Sequence, residues 1–163
     1  MEERGRPRRE DGKAYKGKAN GWSYKYARRQ WNLVDNKELC YHYLGDFDKA
    51  MLKTITSEKN FNKTPVVEIW HNDGDQVLAY MRGDLLFVFN FSPTRSFTDY
   101  GFLVPTGAYS VVLDTDNKAF GGNGLNDDEL THLTTYDPLY MNDRKEWLKL
   151  YLPARTALVL KKN

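Results

Sequence analysis

Polar and apolar residues follow two different rhythms in this chain, and the change falls near Pro65. Before it, Leu39, Tyr43, Phe47, Met51 and Ile55 recur at helical spacing, with Leu44 and Leu52 widening the stripe. Asp35 followed by Glu38 predicts a capping box at the start of this helix, and Gly45 predicts a break or bend within it. The helix is expected to fade near Ser57, and 58–65 reads as a polar connection closed by a proline. After Pro65 the runs shorten and become β-rich. The segment 66–71 leads into Asn72-Asp73-Gly74, a tight-turn signature. Segment 76–81 predicts a second strand, turned at Gly83, and 85–91 a third, stopped at Ser92-Pro93. Further strands are expected at 96–100, 109–113, 130–134, 147–152 and 156–160. Strands so short, and so regularly interrupted by Gly, Pro, Asn and Asp, predict an antiparallel β-sandwich and not a parallel βαβ fold. No internal repeat is present.

The third strand departs from sandwich patterning. Phe87, Phe89 and Phe91 share one face while Leu86 and Val88 share the other, so both faces are apolar. A sandwich strand ordinarily buries its inner face alone. Either the helical region at 36–56 covers the second face or a partner outside the chain does.

The length of 163 residues fits one domain, or one with appendages, and is too short for a (β/α)8 barrel of roughly 250 residues. Apolar residues at 40% and charged ones at 28% exclude disorder of the whole chain. No apolar run approaches the ~20 residues of a membrane-spanning helix, and no signal-like segment opens the chain, so no membrane partner is expected. The single cysteine, Cys40, excludes an internal disulfide framework and points to the cytoplasm. The net charge of +2 conceals an uneven distribution: residues 1–31 hold ten Lys/Arg against four Asp/Glu. Residues 1–20 contain almost no aliphatic side chains and read as a basic, solvated leader. Within it Arg4-Gly5-Arg6-Pro7 is similar to the core of a minor-groove-binding hook. Nucleic-acid binding through 1–31 therefore ranks as a third reading, against which stands the acidic balance of the remainder.

The candidate chemistry is sparse. A glycosidase needs two carboxylates facing each other across a cleft, roughly 5–9.5 Å apart. Asp46 and Asp48 point in different directions on a helix, and Asp127-Asp128-Glu129 reads as a solvated loop. Asp114-Thr-Asp116-Asn117 opens like a calcium loop but continues with Lys118 and Ala119, where a ligand and a glycine are required, so turn chemistry accounts for it. Gly121 to Gly124 reads as a flexible turn, and Arg82-Gly83-Asp84 as a hairpin turn. His42, His71 and His132 lack ligand spacing, so neither a metal nor another cofactor is expected. The recognition candidate lies at 22–31, where Trp22, Tyr24, Tyr26 and Trp31 alternate with Lys25, Arg28 and Arg29. Aromatic rings accept the C–H faces of sugars while Arg and Gln bond their hydroxyls. The same side chains stack nucleobases, and Tyr26 and Trp31 also suit simple packing. The aromatic fraction of 14% leaves these alternatives open.

The stretch from Asn20-Gly-Trp22 through Trp31 and Asp35 to Tyr43-Leu-Gly-Asp-Phe-Asp48 resembles the end of the catalytic barrel in glycogen (1,4-α-glucan) branching enzymes of the α-amylase superfamily. The likeness continues in collinear order through Ser57-Glu-Lys59, Leu85 to Pro93, Ser96 to Tyr100, Val112 to Asp116, Phe120-Gly-Gly122 and Leu150 to Arg155. This resemblance implies an enzyme that moves an α-1,4-glucan segment to an α-1,6 position through a covalent glycosyl-enzyme intermediate. It implies that 21–64 corresponds to the last barrel unit and 65–163 to the C-terminal β-sandwich of the α-amylase type, behind the leader at 1–20. The family's catalytic carboxylates lie upstream of everything matched, so no catalytic residue is assigned to this chain. The family's Gly-His-Pro-Glu-Trp stretch has no counterpart in residues 4–18. The expectation is thus a branching-enzyme fragment that supports a catalytic barrel it lacks and does not turn over alone. A glucan contact is expected at Trp22, Tyr24, Arg28 and Trp31, and the alternative is a standalone glucan-binding module. With the barrel missing, the second face of 85–91 is expected to stand exposed as an apolar patch.

Overall fold

The computed structural model describes residues 30–136 and 145–163. Two helices come first, α1 (Trp31–Asp35) and α2 (Tyr41–Ser57). The capping box does not form, because Asp35 is spent as the last residue of α1. The Asn36 side chain instead accepts the Glu38 backbone N–H at 3.0 Å, turning the chain before α2 begins. Nor does α2 break at Gly45; it runs without interruption to Ser57. The reason for the glycine is steric, since a Cβ there would lie 2.9 Å from Val34 Cγ1 of α1. Gly45 is where the two helices touch.

A 3₁₀ turn at Phe61–Lys63 leads into the strands: β1 (Val66–Asn72), β2 (Val77–Arg82), β3 (Leu85–Asn90), β4 (Phe97–Phe102), β5 (Ala108–Asp114), β6 (Thr131–Leu133), β7 (Thr135–Tyr136), β8 (Glu146–Leu152) and β9 (Thr156–Lys162). They form a six-stranded sheet ordered β1-β2-β3-β9-β5-β6 and a three-stranded sheet ordered β4-β8-β7. Every pairing is antiparallel. The expected sandwich is therefore present, and the eight anticipated strands fall within two residues of their predicted limits. The two-residue β7 was not anticipated, because so short a run shows no alternation.

The inner face of the large sheet carries Val77, Ala79, Leu86, Val88, Leu158 and Leu160 against Phe102, Leu148, Leu150 and Leu152 of the small one, all buried. Asn90 ties the layers together. Its buried amide nitrogen donates to the carbonyls of Arg95 (2.9 Å), Leu152 (3.1 Å) and Pro153 (3.0 Å), while its oxygen accepts from Ser92 N–H (3.0 Å). One side chain thus satisfies backbone groups that leave the ladders where strands exchange sheets.

The outer face of the large sheet is covered by α2. Leu85, Phe87, Leu113 and Val159 form a second buried cluster with Phe47, Ala50 and Met51 of the helix and Phe61 and Phe120 packed on it. The expectation of an open second face is corrected over Leu85 and Phe87, because the chain's own helix buries them. Only the far end of the row stays open, with Phe91 61% exposed. Among the described residues no helix is long and apolar enough to cross a membrane.

Candidate functional site

Of the sequence-predicted contact residues, Trp31 lies within the described structure, and Trp22, Tyr24 and Arg28 lie outside it, as do Tyr26, Arg29 and the basic leader. Trp31 opens α1 and is 64% exposed. Val34 of the same helix approaches Gly45 of α2 closely.

The acidic candidates fall on separate surfaces. Asp46 pairs with Lys49 along α2 at 3.2 Å. Asp127 accepts the Glu129 backbone N–H at 3.0 Å, and Asp128 accepts from the Asn117 amide. Asp114 and Asp116 are buried and organise a loop. Asp116 accepts from the backbone N–H groups of Asn123 (2.9 Å) and Leu125 (2.9 Å) and from the Asn123 amide (3.2 Å). Asp114 accepts from Asp116 N–H (2.8 Å) and the Asn126 amide (3.2 Å). Burial pushes the Asp114 carboxyl above the usual carboxylate range, partly opposed by these two hydrogen bonds. Turn chemistry does account for the calcium-like motif. The Gly121–Gly124 turn, expected to be flexible, is wound against Asp116 so closely that a Cβ on Gly122 would lie 2.1 Å from the Asp116 carbonyl oxygen. Among the described residues no group of three or more His, Cys, Asp or Glu is placed to hold a metal ion.

The outer face of the large sheet has two parts. Beneath α2 lies an apolar cavity of about 340 Å³ lined by Phe47, Met51, Phe61, Tyr80, Phe87 and Phe89 among others. Tyr80 stacks on Phe87 (4.8 Å between centroids) and on Phe89 (5.9 Å), and Phe89 stacks on Phe91 (5.5 Å, 3° between planes). Phe61 sits beside Phe87 with the Arg82 guanidinium 4.3 Å above its ring. Burial raises the Tyr80 hydroxyl pKa, against the lowering charge of Arg82. At its other end the helix connection is fastened by Glu58, paired with Lys161 of β9 at 2.5 Å.

Past the reach of α2, the row of rings ends in a cleft of about 440 Å³ at the β1–β2 hairpin, lined by Glu68, His71, Asp73, Gln76, Leu78 and Phe91. The register places Glu68 opposite Tyr80 and His71 opposite Leu78, which in turn lies opposite Phe89. The Phe91 N–H donates to the Gln76 carbonyl at 2.9 Å, joining floor to rim. Sequence reasoning missed this cleft. Its available signal was the Phe87, Phe89, Phe91 alternation outrunning its cover, next to the Asn72-Asp73-Gly74 turn.

Residues 69–163, spanning all but the start of this β-structure, match the family model of the alpha amylase C-terminal all-beta domain. The chain belongs to that family. Over a longer stretch it is 43% identical in 145 residues to a 1,4-alpha-glucan-branching enzyme of Eremothecium gossypii, covering 88% of this chain and 20% of that protein. It is 46% identical in 142 residues to the enzyme so named in Emericella nidulans, and 41% in 142 residues to that of Saccharomyces cerevisiae, covering 86% of this chain and 20% of each relative. The chain thus spans about a fifth of the length of these relatives. The resemblance read from the sequence is borne out. The all-beta domain of this family accounts for both sheets and the Asn90 junction, whereas α2 and Trp31 precede the matched residues.

Proposed function

We propose that this chain works as the C-terminal module of a cytoplasmic 1,4-α-glucan branching enzyme, holding the end of a catalytic barrel in place and touching glucan, without turnover of its own. The observation that carries this reading is the identity of over 40% to branching enzymes across nearly nine-tenths of the chain and only a fifth of theirs. The seating of α2 supports it. In this reading the helices up to residue 64 belong to the barrel and 65–163 to the sandwich, and the Phe47–Phe87 cluster cements one to the other. Amylose branching, followed by loss of iodine staining, tests it. The chain alone is expected to leave the stain unchanged, and to restore branching when mixed with the Saccharomyces cerevisiae enzyme lacking its matched fifth. Branching by the chain alone, or no restoration in the mixture, overturns the reading.

A standalone glucan-binding module is the second reading, and the exposure of Trp31 favours it. Retardation of the chain in native gels containing glycogen, abolished by Trp31→Ala, would place it ahead of the first.

A further inference from the structure

The cleft at the β1–β2 hairpin has the composition of a site for a neutral, many-hydroxyl ring. Its floor is apolar and flat: Phe91 is 61% exposed, and its ring is held parallel to Phe89. Its rim supplies hydrogen-bonding groups of both kinds, with the Glu68 and Asp73 carboxylates accepting and the Gln76 amide able to donate, while His71 Nε2 is engaged with Asp73 at 2.9 Å. A pyranose needs this combination, a C–H face on an aromatic ring and equatorial hydroxyls in the plane of polar side chains. The volume of about 440 Å³ lies within the usual range for small-ligand sites, ~300–1,000 Å³.

Two other occupants fit less well. The carboxylates of Glu68 and Asp73 repel phosphate, and the nearby cation-forming groups are engaged, His71 with Asp73 at 2.9 Å and Arg95 with Asp75 at 3.0 Å. A protein partner seated on Phe91 would have to bury the Glu68 and Asp73 carboxylates beside it, and interface cores are depleted in Asp and Glu.

The hairpin that carries the rim is also held before any ligand arrives. Asp75, between Asp73 and Gln76, accepts from Arg95 (3.0 Å), Tyr100 hydroxyl (3.0 Å) and the Asn72 amide (3.0 Å). Arg95 also donates to the Gly74 carbonyl at 3.2 Å, and Tyr100 accepts from the Trp70 indole at 3.0 Å. The hairpin is thereby tied to β4, and a ligand does not have to order it.

We propose that this cleft is a sugar-contact site, taking a terminal or internal pyranose of an α-1,4-glucan on Phe91, separate from the segment around Trp31. The identity of the polymer rests on the reading under Proposed function; the pyranose site does not. Titration of the chain with maltoheptaose, followed by amide NMR, tests it. Shifts are expected at Glu68, His71, Gln76 and Phe91, with affinity reduced roughly tenfold in Phe91→Ala and less in Glu68→Gln. Phe91 is exposed, so the variant is expected to keep the wild-type melting temperature, and Trp31→Ala is expected to leave the cleft shifts in place. No cleft shifts at millimolar maltoheptaose, or shifts confined to Trp31, overturn the site and leave the branching-enzyme reading standing. Equal shifts with cellohexaose keep the site but overturn its assignment to α-glucan. Shifts produced by the truncated enzyme that maltoheptaose fails to displace identify a protein-docking face and overturn the proposal.

Discussion

On the inner face of the six-stranded sheet, Leu86, Val88, Leu158 and Leu160 interlock with Leu148, Leu150 and Leu152, and each is at most 3% exposed. On the outer face of the same strands, exposure rises along one row of rings from 9% at Phe87 to 61% at Phe91. Aliphatic side chains fill an enclosed volume by rotamer complementarity, and a fault anywhere in that volume leaves a void. Flat rings cover area without enclosing it, so the outer face accepts a helix over one end and leaves the other end usable. The inner face decides whether the sandwich exists. The outer face decides what is attached to it.

Breaking the inner face is expected to have the largest effect. Leu150→Ala opens a cavity between the two sheets and should lower stability by about 3–5 kcal/mol, read as a fall in the urea midpoint with all probes coincident. Breaking the outer face should cost less and act locally. Phe47 is only partly buried, and its ring meets Phe120 edge-on at 5.4 Å. Phe47→Ala should therefore cost about 2 kcal/mol, below the ~3–5 of a fully buried Phe. Hydrogen exchange sharpens the contrast: the amides of α2 are expected to lose protection while those of β3 and β9 keep it. Equal loss in all three elements would show that helix and sheet unfold as one unit, and the contrast between the faces would fail.

What the sequence made legible follows the same division. Strand positions were readable because alternation, Asn72-Asp73-Gly74, Gly83 and Pro93 are local signals, and all but the two-residue β7 could be placed from them. The apolar second face of 85–91 was readable too, but its cover was not, because the contact between Phe47 and the sheet joins residues some forty positions apart. Gly45 misled for a related reason. Glycine weakens a helix by its own propensity, and only the tertiary approach of Val34 explains why α2 keeps one in its first half. The Phe91 cleft was hidden because β1, the hairpin turn and the residue after β3 each supply part of it. The aromatic segment at 22–31 was the stronger sequence signal, yet of it only Gln30 and Trp31 fall in the described structure.

The smallest expected effect probes the layer beyond the outer face, where α1 rests on α2. Replacing Gly45 by Ala adds a methyl group at a point 2.9 Å from Val34 Cγ1, so the ordinary helix-propensity gain of about 1 kcal/mol is opposed by a clash. The two contributions act through one contact, and a cycle separates them. With Val34→Ala already present the clash is relieved, and Gly45→Ala is expected to stabilise the protein; in the wild-type background it should be neutral or mildly destabilising. The coupling between the two substitutions is expected to be about 0.5–1 kcal/mol by thermal denaturation. An additive cycle would mean that Val34 yields freely, so that α1 leans on α2 without being positioned by it. Trp31 would then be carried by a helix whose placement owes nothing to the sandwich, and the chain of contacts from the sheet through α2 to that ring would end at Gly45.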